Sequence, residues 1–179
     1  MQKTINKNIN LVIKNSLSIC IAVFSAIALP QLFHAFGLYT GMGDKFGQMF
    51  LPMYLPVLIL AFKSNSLSGV IAGILSPIIS FSLSGMPTAA MMPFIIVELA
   101  AFGIFAGLLA NKELNIFLKI VIVQVLGRIV RIAATLISVY FINNTTITAT
   151  AILTPIILAV PGYILQLLVV PYFIKKRQF

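Results

Sequence analysis

Residues 116–142, IFLKIVIVQVLGRIVRIAATLISVYFI, decide how the chain is to be read. The run is long enough to cross a bilayer, which takes about 20 mainly apolar residues in a helix. Yet Arg128 and Arg131 sit well inside it, where a charged side chain costs roughly 2.5–3.5 kcal/mol on insertion. Gln124, Arg128, Arg131, Thr135 and Ser138 recur at 4-3-4-3 spacing, so a helix gathers all of them on one face. A span with one polar stripe must turn that stripe toward other helices rather than lipid. The segment therefore predicts a transmembrane bundle.

Working outward, five more apolar runs flank this one. They cover about Leu11 to Phe36, Gln48 to Phe62, Leu67 to Leu83, Ala89 to Ala110, and Thr148 to Ile174. The second is short and interrupted by Pro52 and Pro56; the third holds Gly69, Gly73 and Pro77; the last contains Pro155, Pro161 and Pro171. Polar, glycine-rich or proline-bearing turns separate them: 37–45, 63–66, 84–87, 111–113 and 143–146. The expected fold is an all-α integral membrane protein, a single domain over residues 1–179 built as a bundle of six transmembrane helices. Composition agrees: 60% of residues are apolar, 8% are charged, and the mean hydropathy is +1.10. A soluble domain carries about 25% charged residues, so a water-facing surface could not be made from this chain. The first run lacks a small-residue cleavage site and reads as a retained helix, not a signal peptide.

The net charge of +9 is a topology signal. Lys3, Lys7, Lys14, Lys63, Lys112, Lys119, Lys175, Lys176 and Arg177, nine of the twelve basic residues, fall on one side of the six-span arrangement. The other side has only Lys45, beside Asp44. Short loops rich in Lys and Arg stay cytoplasmic, which places both termini in the cytoplasm and leaves the basic excess with no role in binding nucleic acid.

Glu98 in the fourth span lies at a depth similar to Arg131, with Arg128 one turn deeper, so antiparallel neighbours would bring the three together. Two readings stand. One is a structural ion pair joining two helices; the other is the wall of a pocket formed by Glu98, Arg128, Arg131 and Gln124 for a hydrophilic solute. The length of the polar stripe favours the pocket. Pro52, Pro56 and Pro77, with Ser80, Ser82 and Ser84, sit in outer halves of spans, where irregular backbone is tolerated if it lines a cavity. Methionines at 42, 49, 53, 86, 91 and 92 gather at the same level; Met53 and its neighbours could adapt to a flat ligand. His34, at the outer mouth, is a candidate lid or binding residue. On the first helix Ser18, Ala22 and Ala26 recur at four-residue spacing, which permits close approach by another helix.

Catalysis has little support. One histidine and three acidic residues offer no two-histidine metal site and no carboxylate pair. A lone Cys20 excludes an intrachain disulfide, and no phosphate loop is present. The chain is expected to be no enzyme and to need no cofactor or metal.

Several segments resemble a substrate-binding S component of the energy-coupling factor (ECF) vitamin transporters. They are residues 29–37 (LPQLFHAFG), 50–58 (FLPMYLPVL), 73–77 (GILSP) through 84–87 (SGMP), 98–103 (ELAAFG) and 127–130 (GRIV). The resemblance implies a multi-pass protein of the bacterial cell membrane that binds a vitamin or precursor near the outer surface, in a pocket made by the later helices and capped by the loop after the first. It implies a coupling module of one transmembrane subunit and two ATPases, met through an Ala-x-x-x-Ala pattern that Ala22 and Ala26 match, with Ser18 one turn away. A flat nitrogen heterocycle is favoured as ligand, such as a cobalamin-related benzimidazole, pyridoxine or a pyrimidine; Arg128 and Arg131 leave a carboxylate vitamin open. The alternative is a stand-alone secondary transporter with Glu98 as proton carrier, and a third reading is a non-transporting scaffold.

Overall fold

The computed structural model describes residues 2–141 and 157–175. Its elements are α1 (Gln2–Tyr39), α2 (Asp44–Phe50), α3 (Tyr54–Lys63), α4 (Ser66–Ser84), α5 (Met92–Ala110), α6 (Ile116–Phe141) and α7 (Val160–Lys175). Among the described residues there is no strand. Four stretches are long and apolar enough to cross a membrane: Val12–Tyr39 of α1, all of α4 and α5, and Ile116–Tyr140 of α6. The described residues are thus all-helical, and the protein is a multi-pass membrane protein. The turn expected at 143–146 and the start of the last span, from Thr148 to residue 156, lie outside the described residues.

The second apolar run, 48–62, is not one helix but two short ones, broken at Leu51-Pro52-Met53. Pro52 has no N–H to give, and its ring disfavours helical backbone at the residue before it. Leu51 accordingly turns into the left-handed region (φ 48°, ψ 48°) and closes α2 through its N–H to Gly47 O at 3.3 Å. What remains as α3 is 10 residues, about 15 Å of helix, half the hydrocarbon thickness of a bilayer. It is apolar on every side, and such a helix belongs inside a bundle. Seven of its residues, Tyr54 to Leu58 with Leu60 and Ala61, are buried, and it packs against α1, α4, α5 and α7.

The contacts fix the helix directions. Lys63 at the end of α3 lies 6.0 Å from the ring centroid of Phe173 near the end of α7. Lys119 Nζ, near the start of α6, donates to Ala110 O, the last residue of α5, at 3.0 Å. This cation on a free C-terminal carbonyl is the favourable pairing for a helix end. Ser66 Oγ, opening α4, donates to Ile104 O in α5 at 3.2 Å. So α3, α5 and α7 end where α4 and α6 begin, and Lys63, Lys112 and Lys119 collect at that end of the bundle.

Helices α4 and α5 cross on glycine. A Cβ on Gly69 would lie 2.8 Å from Gly103 Cα and 2.6 Å from Ala61 Cβ, and one on Gly73 would lie 2.7 Å from Leu99 O. Gly103 in turn faces the Gly69 backbone, and Gly107 faces Ser66. Each helix therefore offers a Gly-x-x-x-Gly pair to the other. Without a hydrophobic drive between helices in lipid, such close backbone approach is how spans associate. A further glycine, Gly127 on α6, receives the ring of Phe102.

The small-residue face of α1 is also used from within. Ala22 and Ala26 are 7% and 0% exposed and belong to the same core as Val57, Leu58 and Ala72. Their lack of bulk lets α1 pack against α3 and α4 of its own chain. Ser18 is half-buried, its hydroxyl turned back to Lys14 O at 2.9 Å. The outward face of α1 is instead a ridge of Val12, Ile13, Leu17, Ile21 and Phe24.

Candidate functional site

A cavity of about 290 Å³ opens at the end of the bundle away from the lysines. It lies where α1 and α4 finish and α3 and α5 start. From α1 it takes Pro30, Gln31 and His34; from α2 and the break after it, Gly47, Leu51, Pro52 and Met53; from α3, Tyr54. Ser80 of α4 and Met86, Pro87, Thr88 and Met91 of the following turn form another side. Ile95 of α5 and Arg131 of α6 complete it. The Met86–Pro87 peptide is cis. Pinned by ring contacts of 5.8, 5.4 and 4.9 Å among Phe33, Phe46 and Phe50, α2 stays folded onto α1. That contact holds Gly47 close against the His34 ring: a Cβ there would stand 3.1 Å from His34 Nε2.

Beneath the cavity sits Glu98, fully buried. Its Oε2 accepts from Tyr54 Oη at 2.6 Å and from Arg131 Nη1 at 2.9 Å. Its Oε1 lies 2.9 Å from Arg128 Nη1. That third contact is an ion pair by distance but lacks hydrogen-bond alignment, so the Arg128 nitrogens have no hydrogen-bond partner. The Arg128 guanidinium is instead flanked by two rings, 5.8 Å from the Tyr54 centroid and 5.2 Å from that of Tyr163. Tyrosine faces attract a cation in this way, more strongly when water is excluded. The carboxylate is therefore a hub. It fixes the hydroxyl of Tyr54 and the guanidinium of Arg131, and both of those side chains line the cavity.

Of the expected binding residues, the structure brings His34, Pro52, Met53 and Arg131 to the cavity wall. Glu98 and Arg128 form the layer behind. Gln124 is elsewhere: its Nε2 donates to Gln166 Oε1 of α7 at 3.0 Å. Ser84 is exposed past the rim, its hydroxyl donating to Ser80 O at 2.8 Å. The polar stripe of α6 does face inward, with Gln124, Arg128, Thr135 and Ser138 all buried, but it is divided. Thr135 Oγ1 donates to its own helix at Arg131 O, 2.9 Å away. Of the five stripe residues only Arg131 reaches the cavity. Most of the lining comes from α1 to α4 and the break after α2.

Tyr54 is the central residue that sequence reasoning did not single out. The signal was a lone phenol between Pro52 and Pro56 in an otherwise apolar run; a buried tyrosine hydroxyl needs a partner, and Glu98 was the acid available. Comparison with family models, with curated proteins and with solved structures finds no significant match to this chain.

Proposed function

We propose that this chain is a membrane-embedded binding subunit for a small vitamin or vitamin precursor, of the S-component type, whose uptake is driven by ATP hydrolysis in a separate ECF module. The observation that carries the reading is the cavity at one end of the bundle, mostly apolar, with Gln31, His34, Tyr54, Ser80, Thr88 and Arg131 converging on it. A largely apolar cleft with a few placed polar groups is the usual form of a small-molecule site, and about 290 Å³ stands at the small end of such sites, suited to a compact ring system. The methionines and prolines of its walls favour a flat nitrogen heterocycle as the ligand. The coupling subunit would meet the outward ridge of Leu17, Ile21 and Phe24 on α1, because Ala22 and Ala26 are occupied.

The test begins with mass spectrometry of the small molecule carried by the detergent-solubilised protein, followed by its uptake in cells with and without the coupling module. Uptake is expected only with the module and only while ATP is available. Uptake that persists without the module and collapses with a protonophore would favour the rival proton-coupled transporter. Against that rival stands the setting of Glu98, whose carboxylate is already held by three side chains.

The reading includes six crossings with both termini in the cytoplasm, the cavity facing outward and α2 with α3 together serving as the second crossing. The alternating directions of α3 to α7 and the collection of Lys63, Lys112 and Lys119 opposite the cavity support it. In a Cys20→Ser background, single cysteines at positions 44 and 145 should react with an impermeant maleimide on intact cells, and those at 64, 112 and 176 should not. Outside labelling at 112 would overturn the orientation.

A further inference from the structure

The charges around Glu98 do not balance. Arg128 and Arg131 both contact one carboxylate, so the cluster holds two cations and one anion in a setting where Glu98 is fully buried and the two arginine side chains are 9% and 13% exposed. The chain has three acidic residues. Of the other two, Glu113 lies in the turn between α5 and α6 at the far end, and Asp44 opens α2 next to Lys45. Among the described residues, the cavity lining contains no acid, and its one permanently charged member is Arg131. Leaving a cation unbalanced in a low-dielectric interior is costly, whereas a charge that meets its counterion with good hydrogen bonds is tolerated.

We infer that the ligand of this cavity is an anion: a compact, largely apolar or aromatic body bearing one carboxylate or phosphate-type group that meets Arg131 and supplies the missing negative charge. The inference rests on the binding reading above and narrows it. Arginine suits the role because its planar fork can hold Glu98 with one nitrogen and present others to an oxyanion. Tyr54, tied to the same carboxylate, and His34 across the cavity supply further polar contact, while Met53, Met91 and Ile95 face the apolar body. A neutral or cationic heterocycle of the same shape would leave the cluster with its excess charge.

The experiment compares probes matched in shape and unlike in charge. Purified full-length protein in lipid nanodiscs is melted by circular dichroism with benzoate, phenylphosphonate, benzamide or benzylammonium, at constant ionic strength, and affinities are taken from the concentration dependence of the melting temperature. Benzoate or phenylphosphonate is expected to bind at least about tenfold more tightly than benzamide, the discrimination given by one hydrogen bond to a charged group; which of the two stabilises more distinguishes a carboxylate from a phosphate. Arg131→Gln leaves a balanced Glu98–Arg128 pair, so this variant should melt no lower than the parent without ligand and should lose the preference for anions. Equal stabilisation by benzoate and benzamide, stabilisation by none of the probes, or an anion preference unchanged in Arg131→Gln would overturn the inference. An Arg131→Gln variant too unstable to purify would do the same, because the arginine would then be needed to hold the fold. Equal binding of benzoate and benzamide would leave the cavity a small-molecule site, and dependence of uptake on the coupling module is decided in the separate transport assay.

Discussion

Replacing Glu98 with Gln is expected to lower the stability of the folded bundle by about 3–5 kcal/mol, the usual result of removing one partner from a buried ion pair. Glutamine is nearly the same size, so the packing around the site is kept and the effect isolates charge. The amide can still accept a hydrogen bond from Tyr54 Oη. It cannot offset Arg128 and Arg131, both within 2.9 Å of the present carboxylate, and the cluster would pass from one excess positive charge to two. The two arginines should then separate, and Arg131 and Tyr54, which Glu98 holds in the cavity wall, should lose their positions with it. Thermal unfolding in nanodiscs measures the first effect. The chain has no tryptophan, so circular dichroism is the suitable signal. Arg131→Gln is the contrasting variant, since it removes charge of the sign already in excess. If Glu98→Gln melts with the parent while Arg131→Gln melts far below it, the hub is not electrostatic and the arrangement must be held by packing alone.

The charged part of this site is legible in the sequence for a specific reason. Charges at membrane depth are so unfavourable that Glu98, Arg128 and Arg131 had to find one another, and helical spacing put both arginines on the face that Gln124, Thr135 and Ser138 share. Helix periodicity fixes direction along a face but not which neighbour each turn of that face meets. Gln124 goes to Gln166 on α7, a residue in a run whose polarity is otherwise unremarkable. The break at Leu51 was signalled by Pro52, yet a proline alone does not distinguish a kinked span from two helices. The left-handed backbone at Leu51 makes the difference here by letting the chain re-enter as α3 with Tyr54 aimed at Glu98, a partner 44 positions away. Ala22 and Ala26 illustrate the limit of a small-residue pattern. Spacing predicts close approach by a helix, but whether that helix belongs to the same chain depends on the tertiary arrangement.

Gly103→Leu is the other change expected to have a large effect, because it strikes the crossing that sets the distance between α4 and α5. The atoms a side chain at Gly103 would meet are the backbone of Gly69 and Val70, which cannot rotate away as the tip of a long side chain can. The helices must separate or slide, and overpacking of this kind costs about 1–3 kcal/mol, occasionally more; with backbone on both sides the upper end is expected. The damage should reach the cavity, since α5 carries Ile95 and Glu98 and α4 carries Ser80. Phe at Val97, which is 41% exposed on the outer side of α5, adds as many carbons as Gly103→Leu but places them toward lipid, and should be nearly silent. Alanine gives a finer measurement. Gly69→Ala and Gly103→Ala each place a methyl in the same narrow gap, so whichever is made first already spreads the helices and the second meets relaxed space. The double variant should therefore lose less stability than the two single losses added together, by about 0.5 kcal/mol or more, the range found for residues in direct contact. Strict additivity, with each alanine costing only a few tenths of a kcal/mol as for an isolated exposed site, would show that α4 and α5 do not meet through these glycines.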